Sequence, residues 1–424
     1  MPNSPRIPVR KLNNTAVEYV FLQANASMPQ HTLIPFLGRT PKGQKEYRTT
    51  NYKFDDGSES EPVAFFGWAL HARCNPDLLV ILGTSGSMWD HLFEGDFDFG
   101  ADNETERLAL VEAVHNKQVS QTLLDPLESP LAHKTGFAIR LQLIPYCRDE
   151  AEQAELLRVL ASNVNQGDVV DLDITHGMRH QPMLALLSAL HLRSLLYVDV
   201  QHIWYSAFDP DSQQASVHDL AGLLLIADWL KALAIYDHSG DFSIVGDLIG
   251  GEIGDHLKNT AFLESINRVG QARAPGRKAL ELLLGEASGL SPTAELFSNE
   301  LQRRLSWVNG NNFHDRQRQL CFEYLEYDRF FEAVVTGWEA ITSKLVSQKG
   351  LDPNNYKHRE EAFEQFRADR NNPRWQYFDA FRRLRNALVH GSQPQGSEIQ
   401  SAMSDPKRMK KQLVQLLQHL LPRN

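Results

Sequence analysis

The N-terminal half of the chain alternates between short apolar runs and longer amphipathic stretches. Five runs predict buried strands, at residues 32–38, 78–82, 137–145, 168–174 and 197–205. The stretches between them, including 104–124 and 150–164, have the spacing of apolar residues typical of helices. Strands that alternate with helices predict a mostly parallel, doubly wound α/β sheet of the Rossmann-like kind.

The C-terminal half shows helical periodicity almost throughout. Eight helices are predicted, at residues 220–237, 242–269, 277–284, 293–307, 317–347, 359–366, 375–390 and 402–421. The polar segment 208–216 separates the two patterns and indicates a domain boundary. We therefore divide the chain into an N-terminal extension (1–30), an α/β domain (31–207) and an all-α domain (208–424).

Composition narrows the class of protein. The chain has 42% hydrophobic and 23% charged residues, as globular proteins do, and three widely spaced cysteines without a metal or redox motif. It has no apolar run long enough to span a membrane and no signal-peptide pattern, so we expect a cytoplasmic protein. The net charge of −10 is uneven, with +6 in residues 301–424 and −16 before them. This asymmetry suggests that a polyanion binds the C-terminal part.

Three loops rich in small residues follow predicted strands, at 38–43, 83–89 and 175–179. Ligands of doubly wound sheets bind at the carboxyl ends of the strands, where these loops lie. Hydroxyl groups are available from Thr84, Ser85, Ser87 and Thr175, and glycines let a ligand approach the backbone closely. The helix that follows Ile174 offers unpaired N–H groups to an anion.

Three residues in or near these loops have more than one interpretation. Trp89 could stack on a nucleobase or pack in the core. His176 and His180 are four residues apart, as zinc ligands often are, but the sequence supplies no third ligand nearby. We therefore predict no metal site.

The segment 375–390 carries Arg385 and His390 on a predicted helix that Gly391 ends. An arginine and a histidine together suit acid–base cleavage of a phosphodiester, because histidine transfers protons and arginine stabilises charge on phosphorus. With 28 arginines and 16 histidines, about one such spacing is expected by chance and one occurs. The helical context, rather than the spacing, carries the prediction.

Helix geometry complicates this prediction. Five residues advance an α-helix by roughly 500°, so the two side chains leave the helix about 140° apart. A twofold contact between two copies would bring the same elements face to face. We therefore expect a composite site at a homodimer interface.

Four segments together resemble a known family. Phe-Leu-Gly at 36–38, Gly-Thr-Ser-Gly-Ser-Met-Trp at 83–89 and Asp-Leu-Asp-Ile-Thr-His-Gly at 171–177 are similar to the signature segments of CARF domains. These domains sense cyclic oligoadenylates in type III CRISPR systems. The helical remainder, with Arg385-Asn386-x-x-x-His390, resembles the HEPN ribonuclease domain that follows them. The resemblance covers residues 31–424.

The resemblance implies a homodimer or a higher oligomer whose two sensor domains form one pocket for cyclic tetra-adenylate or cyclic hexa-adenylate. It implies no cofactor and no membrane. The residues expected to line the pocket are Gly38, Arg39, Gly83, Thr84, Ser85, Ser87, Thr175, His176, Gly177, Met178 and Arg179.

The family's chemistry is allosterically activated, metal-independent cleavage of single-stranded RNA in antiviral defence. The ribose 2′-OH attacks the adjacent phosphorus and leaves a 2′,3′-cyclic phosphate and a 5′-OH. By resemblance, His390 is the general acid or base, Arg385 stabilises the phosphorane and Asn386 orients them. Two alternatives stay open: a ligand-sensing regulator without cleavage, and an additional ring-cleaving activity in the sensor pocket.

Overall fold

The computed structural model describes residues 28–39, 49–95, 97, 99–177, 181–209, 211, 214–285 and 289–422. Most of the predicted N-terminal extension, residues 1–27, lies outside this range. The chain forms two compact units that divide between Leu224 and Leu225. The first is an α/β unit and the second is helical, so the predicted α/β plus all-α architecture is confirmed.

The α/β unit is built on a twisted sheet. Its strands, within the described residues, are β1 (His31–Pro35), β2 (Tyr52–Lys53), β3 (Leu78–Gly83), β4 (Ala138–Leu143), β5 (Val169–Asp173), β6 (Asp199–Asp209) and β7 (Gln214–Asp219). Their order is β2-β7-β6-β5-β1-β3-β4. From β6 to β4 all neighbours are parallel, whereas β7 runs antiparallel to β6. The expected parallel sheet therefore carries a short antiparallel addition at one edge.

Helices cover both faces of this sheet because successive strand residues point to opposite sides. The helices of this unit are α1 (Phe66–Cys74), α2 (His91–Glu94), α3 (Glu104–Asn116), α4 (Gln121–Thr135), α5 (Glu150–Ser162) and α6 (Gln181–Leu196). In β1, Leu33 joins the core cluster that contains α1, α3 and α4 residues. Its neighbour Ile34 joins the cluster that contains α5 and α6 residues. Two cores therefore sandwich the sheet.

The hairpin of β6 and β7 changes the boundary expected from sequence. β6 continues to Asp209 and pairs with β7, whose Ala215 and Val217 are almost fully buried. Asp209 and Gln214, which lie within the polar segment, therefore belong to two paired strands of the sheet. As a result, the boundary expected after residue 207 falls inside β6, and the compact unit ends at Leu224.

The second unit consists of α-helices with one short 3₁₀ turn (Ser306–Asn309). Its helices are α7 (Gly222–Ser239, which begins just before the division), α8 (Ser243–Ile249), α9 (Gly251–Ser265), α10 (Val269–Leu284), α11 (Pro292–Leu305), α12 (Phe313–Glu326), α13 (Phe330–Gln348), α14 (Tyr356–Ala368), α15 (Trp375–His390), α16 (Ser397–Met403) and α17 (Pro406–Leu420). Trp229, Trp307, Phe378 and Phe381 are among the fully buried side chains of its core.

Two helices expected to be long are broken. The segment 242–269 forms α8, α9 and the first residue of α10, and the segment 317–347 is divided between α12 and α13. Asn267 and Asp328 have left-handed backbone angles, with φ near 57° and 58°, at two of these breaks. None of the described helices is long and apolar enough to cross a membrane.

Candidate functional site

The loops that follow β1 and β3 are held together by backbone hydrogen bonds. The Leu37 N–H donates to the Leu82 carbonyl at 2.7 Å, and the Met88 N–H donates to the Gly38 carbonyl at 2.9 Å. Because the two strands are parallel neighbours, their carboxyl ends lie at one edge of the sheet. The structure therefore brings the segments 36–38 and 82–89 into one surface, as the sequence predicted.

Two of the hydroxyls expected at the ligand are instead used inside the loops. Ser87 Oγ accepts the Thr84 N–H at 2.9 Å and donates to the Leu37 carbonyl at 2.9 Å. Ser87 is 2% exposed and Thr84 is 4% exposed. In this structure, therefore, these side chains fix the loop conformation and do not face solvent.

Trp89 and Gly83 also pack against each other inside the fold. Trp89 is fully buried, and its Nε1–H donates to the Thr84 carbonyl at 2.9 Å. A Cβ atom at position 83 would lie 2.6 Å from the Trp89 ring, so only glycine fits there. The core interpretation of Trp89 is therefore the one that the structure supports.

Ser85 remains partly accessible on the same loop. Its hydroxyl lies 3.1 Å from the Tyr146 hydroxyl, just after β4. Tyr146 was not among the residues singled out from sequence, because an isolated tyrosine after a strand carries no distinctive pattern. The pair offers a ligand two adjacent hydroxyl groups.

The third loop, after β5, meets the first through Gly38. A Cβ atom on Gly38 would lie 3.3 Å from the His176 Cβ, so the two loops are in close contact. Asp173 Oδ1 accepts the Thr175 N–H at 2.8 Å, and Thr175 Oγ1 accepts the Ser206 N–H at 2.8 Å. These bonds set the path of the chain into 176–177.

Burial changes the protonation of two groups in this loop. Desolvation raises the pKa of Asp173 to about 7, despite hydrogen bonds from Thr175, and lowers the pKa of His176 to about 4. His176 Nε2 is buried and has no hydrogen-bond partner within the described residues. A neutral, unpartnered imidazole nitrogen is suited to a hydrogen bond with a polar ligand.

The remaining predicted sensor residues differ in accessibility. Arg39 and Gly177 are exposed beside the loops described above. Met178 and Arg179 lie outside the described residues. The surface available to a ligand therefore includes Arg39, Ser85 and the 175–177 backbone, whereas His176 Nε2 is buried.

The second candidate site lies at the C-terminal end of α15. Arg385 Nη1 donates to Asn386 Oδ1 at 3.0 Å and lies 3.3 Å from His390 Nε2. The guanidinium is also stacked over the Trp338 ring of α13, 5.3 Å from its centroid. Gly391 follows with φ 58° and ends the helix. The three residues predicted to be catalytic are therefore adjacent.

This contact differs from the expectation that one helix could not bring Arg385 and His390 together. The expected angle of about 140° describes the directions in which the side chains leave the helix. The long, flexible arginine side chain follows the helix surface to His390, the last residue of α15. The contact removes this geometric reason for a shared site, and a composite site at a homodimer interface stays a prediction.

The chemistry of the two groups sets the direction of this hydrogen bond. A guanidinium only donates hydrogen bonds, so His390 Nε2 must be the acceptor. In the neutral ring, the proton is then on Nδ1. An imidazole nitrogen and a guanidinium are thus within 3.3 Å of each other, an arrangement suited to acid–base cleavage of a phosphodiester.

Two nearby arginines on α15 share one carboxylate partner, whereas Arg385 is not paired in this way. Arg382 and Arg383 both pair with Asp379, at 2.7 and 3.0 Å. Arg385 has no carboxylate partner among the residues that the structure describes. Its charge is therefore available to a phosphate. Trp338, which positions this guanidinium, was not identified from sequence because no motif marks it.

Comparison with known families identifies the α/β unit. Residues 32–210 match the family described as CRISPR system endoribonuclease Csx1, CARF domain. The match includes all three loops at the carboxyl edge of the sheet. The predicted resemblance of this part to CARF domains is confirmed.

The individual proteins found by comparison have low sequence identity to this chain. A CRISPR-associated protein of Methanocaldococcus jannaschii is 23% identical over 341 residues, which are 75% of this chain and 53% of the relative. The chain thus spans about half the length of that curated relative. Csm6 of Enterococcus italicus, solved with cyclic hexa-2′-fluoro-hexa-dAMP, is 12% identical and aligns with a TM-score of 0.36 over 93% of this chain and 95% of its own.

Proposed function

Because residues 32–210 match the CARF-domain family, we propose that this chain is an effector of type III CRISPR defence whose cytoplasmic ribonuclease activity depends on a cyclic oligoadenylate. The helical unit is proposed to be a HEPN domain that cuts single-stranded RNA without a metal. The observation that carries this proposal is the 3.3 Å contact between Arg385 Nη1 and His390 Nε2.

The proposed reaction uses the ribose 2′-OH as the nucleophile, which accounts for a preference for RNA. His390 Nε2 accepts the 2′-OH proton as the 2′-oxygen bonds to phosphorus. Arg385 exchanges its contact with His390 for the phosphorane oxygens. The bond from phosphorus to the 5′-oxygen breaks, and the protonated imidazole returns a proton to that oxygen. The products are a 2′,3′-cyclic phosphate and a 5′-OH.

Asn386 is proposed to orient Arg385. Its Oδ1 accepts a hydrogen bond from the same guanidinium nitrogen that contacts His390. Trp338 supports the planar face of the guanidinium from below. The two contacts together restrict the arginine to one side of the helix.

The sensor is proposed to bind the ring over the three loops of the α/β unit. Arg39 and Gly177 are exposed there, and Ser85 offers a hydroxyl group. His176 Nε2 is buried without a partner among the described residues, so a polar group of the ring could bond to it on binding. Gly38, Gly83, Thr84 and Ser87 then contribute by fixing the loops, and Thr175 by directing the chain into His176. Met178 and Arg179 are retained in the proposed pocket on the resemblance alone.

We propose a homodimer, because a ring with twofold symmetry fits a twofold interface. Three large apolar side chains on α6 support this arrangement. Met183 is 73% exposed, Leu187 is 56% exposed and Leu195 is 63% exposed. Such residues are normally covered when they line one helix face. α6 also follows the third loop in sequence, so a contact through α6 would place two sets of loops near each other.

The test is cleavage of a fluorescent single-stranded RNA in EDTA, with cyclic tetra-adenylate, cyclic hexa-adenylate or no ring. Wild type is compared with His390→Ala and with His238→Ala, which removes an exposed histidine of the same unit. We expect that one of the two rings activates RNA cleavage by wild type. Cleavage should be lost in His390→Ala and retained in His238→Ala. Product ends should be 2′,3′-cyclic phosphate and 5′-OH.

Two other results would change the assignment. Tight ring binding without RNA cleavage would leave a ligand-sensing regulator. If His390→Ala still degrades the cyclic oligoadenylate, the sensor loops would have a second candidate activity, cleavage of the ring. The observation that favours this second activity is His176 beside Thr175, because burial lowers its pKa and its Nε2 has no partner among the described residues.

A further inference from the structure

A cavity of about 670 Å³ lies within the helical unit, away from the motif that carries Arg385 and His390. It is lined by the N-terminal ends of three helices, through residues 268–271 of the α10 start, 313–317 of α12 and 353–359 of α14. Its volume is within the range of about 300 to 1,000 Å³ that small-ligand sites have. One nucleotide fits in such a space.

The lining of this cavity is positively charged. Arg268, Arg316 and Arg359 contribute guanidinium groups, and Glu339 is the one acidic residue among the described lining residues. Glu339 is already paired with Arg359. Arg268 is exposed and has no ion pair within the described part of the chain. The cavity therefore has cationic groups in excess, as an anion site does.

Arg316 is held in an unfavourable environment. One of its nitrogens, Nη1, donates to the Gly310 carbonyl at 3.0 Å, but Nε is buried without a partner in the described structure. Burial and the nearby charge of Arg273 lower the pKa of Arg316. A bound anion would offset both effects, because it supplies an acceptor and a negative charge.

One of the three helices has no side-chain cap at its N-terminal end. Asn312 caps α12 and Asn355 caps α14 with side-chain hydrogen bonds, whereas α10 begins at Val269 with no side-chain cap. The N-terminal N–H groups of an uncapped helix favour a negative charge. This feature supports an anion beside Arg268 and Gly270.

A second, independent feature indicates that the ligand carries a hydrogen-bond donor as well as a phosphate. Gln317 lines the cavity and is only 3% exposed, and its Oε1 has no hydrogen-bond partner in the described residues. A buried amide oxygen requires a donor. Phosphate oxygens accept hydrogen bonds, but a nucleobase carries N–H groups. Tyr356, which is 75% exposed, and Phe313 supply aromatic surfaces at the same cavity.

We propose that this cavity binds one nucleotide of the RNA substrate, with its phosphate at Arg268 and Arg316 and its base against Tyr356 and Gln317. The assignment to RNA rests on the proposed function and on continuity along α13. Glu339 lines the cavity, and the adjacent Trp338 supports the guanidinium of Arg385. One helix therefore joins the cavity to the proposed cleavage site, so a strand that occupies both would be positioned for cutting.

The experiment measures binding without cleavage. Full-length protein with His390→Ala is titrated into fluorescein-labelled single-stranded RNAs of several defined sequences, and anisotropy is followed at several salt concentrations. Tyr356→Ala and Arg268→Gln are tested in this background, because both side chains are exposed and their loss should leave the fold intact. Thermal unfolding of each variant checks this point.

We expect Tyr356→Ala to weaken RNA binding about tenfold, the usual consequence of losing one base–aromatic stack. Arg268→Gln should lower the slope of log K against log[salt] by about 0.7, because one phosphate contact is lost. Gln317→Leu should reduce discrimination between RNA sequences. Phe331→Ala and Lys278→Gln are matched controls, since they remove an exposed aromatic ring and an exposed charge outside the cavity.

The result that overturns the proposal is equal RNA affinity in the cavity variants and their controls. Free AMP is the second arm of the test. If AMP binding depends on Tyr356 and Arg268 while RNA binding does not, the cavity takes a free nucleotide and the RNA assignment is wrong. Failure of the ribonuclease hypothesis would appear separately, as absent cleavage by wild type, because these binding measurements do not require cleavage.

Discussion

At the scale of single residues, the Ser87 hydroxyl has a structural task in a loop proposed to bind a ligand. It satisfies the Thr84 N–H and the Leu37 carbonyl, both in buried surroundings. We predict that Ser87→Ala lowers the free energy of unfolding by about 1–3 kcal/mol, because two buried backbone groups lose their partner. Urea denaturation would measure the change.

Ser85→Ala is the matched control for Ser87→Ala. Its hydroxyl is partly exposed and contacts Tyr146, so water can replace the lost hydrogen bond. We expect a change within about 0.5 kcal/mol, as for most surface substitutions. If Ser87→Ala were equally mild but abolished ring binding, the Ser87 hydroxyl would be a ligand contact after all.

Asn386 provides a second prediction at this scale. Asn386→Ala removes the acceptor that holds Arg385 Nη1. Hydrogen bonds to charged groups contribute about 1.5–3 kcal/mol, so the cleavage rate at saturating RNA should fall about ten- to a hundredfold. Single-turnover cleavage would measure it. Ser392→Ala, which removes an exposed hydroxyl bonded to the Asn386 backbone, should leave the rate nearly unchanged. A rise in KM alone would argue against a positioning role.

The residue types at both sites could be predicted from the sequence, but their contacts could not. Hydroxyl-rich loops indicate polar chemistry, yet the sequence does not reveal that Ser87 folds inward while Ser85 stays accessible. Helix angles alone also misled the expectation for Arg385, because they omit the length of the arginine side chain. Contacts such as Arg385 with Trp338 join residues from separate helices, and no spacing along the chain encodes them.

At the scale of elements, the end of β5 contains two groups with opposite pH dependence. Asp173 has a pKa raised to about 7, so between its usual value near 4 and pH 7 the folded chain holds a proton that the unfolded chain has lost. Its contribution to stability is present at low pH and is lost as pH rises through 7. His176 has a pKa lowered to about 4, so its contribution is present above pH 6.5 and is lost as pH falls toward 4.

We therefore predict that Asp173→Asn removes the loss of stability between pH 5 and 8. The asparagine keeps an oxygen for the Thr175 N–H and has no charge to bury. At pH 8 the free energy of unfolding of the variant should exceed that of wild type by up to a few kcal/mol. Urea denaturation at pH 5, 6.5 and 8 would measure the difference. Asp168→Asn, at the other end of the strand, is the comparison, and parallel pH profiles for all three proteins would contradict the prediction.

Elements with a strong, uninterrupted pattern were predicted well. The bounds of α15 agree with the expectation, because its apolar stripe ends at a glycine that adopts a left-handed conformation. The break between α12 and α13 was missed because Asp328 adopts such a conformation without being glycine. β7 was missed because only Ala215 and Val217 mark its buried face, which is too short a pattern to recognise.

At the scale of the whole molecule, the proposed homodimer depends on a contact through α6. Leu187→Glu places a charge in the middle of its exposed apolar face. We predict that the mass in solution falls from twice the 48.1 kDa of one chain to a single chain, and that ring affinity falls with it. Sedimentation and ring titration would measure both. Leu230→Glu, on α7, is a control of similar exposure, and an unchanged mass for Leu187→Glu would exclude this interface.

The two-part organisation was visible in the sequence because the apolar pattern changes from strand-like to helical. The boundary expected after residue 207 falls inside β6, because the polar segment 208–216 resembles a linker until the pairing of β7 with β6 is known. The uneven charge pointed to the C-terminal part as the partner of a polyanion. It could not indicate the cavity near Arg268 and Arg316, since that cavity is formed by three helix ends that are distant in sequence.

The bonds that join the sensor loops bear on how such a sensor can be exchanged between proteins. The loops after β1 and β3 share hydrogen bonds through Leu37, Gly38 and Ser87, and Gly38 fits closely against His176. A loop transplanted alone into a relative would arrive without its partners. Recombination should therefore succeed only when whole strands move together, while new ligand preferences should arise by substitution at exposed tips such as Arg39.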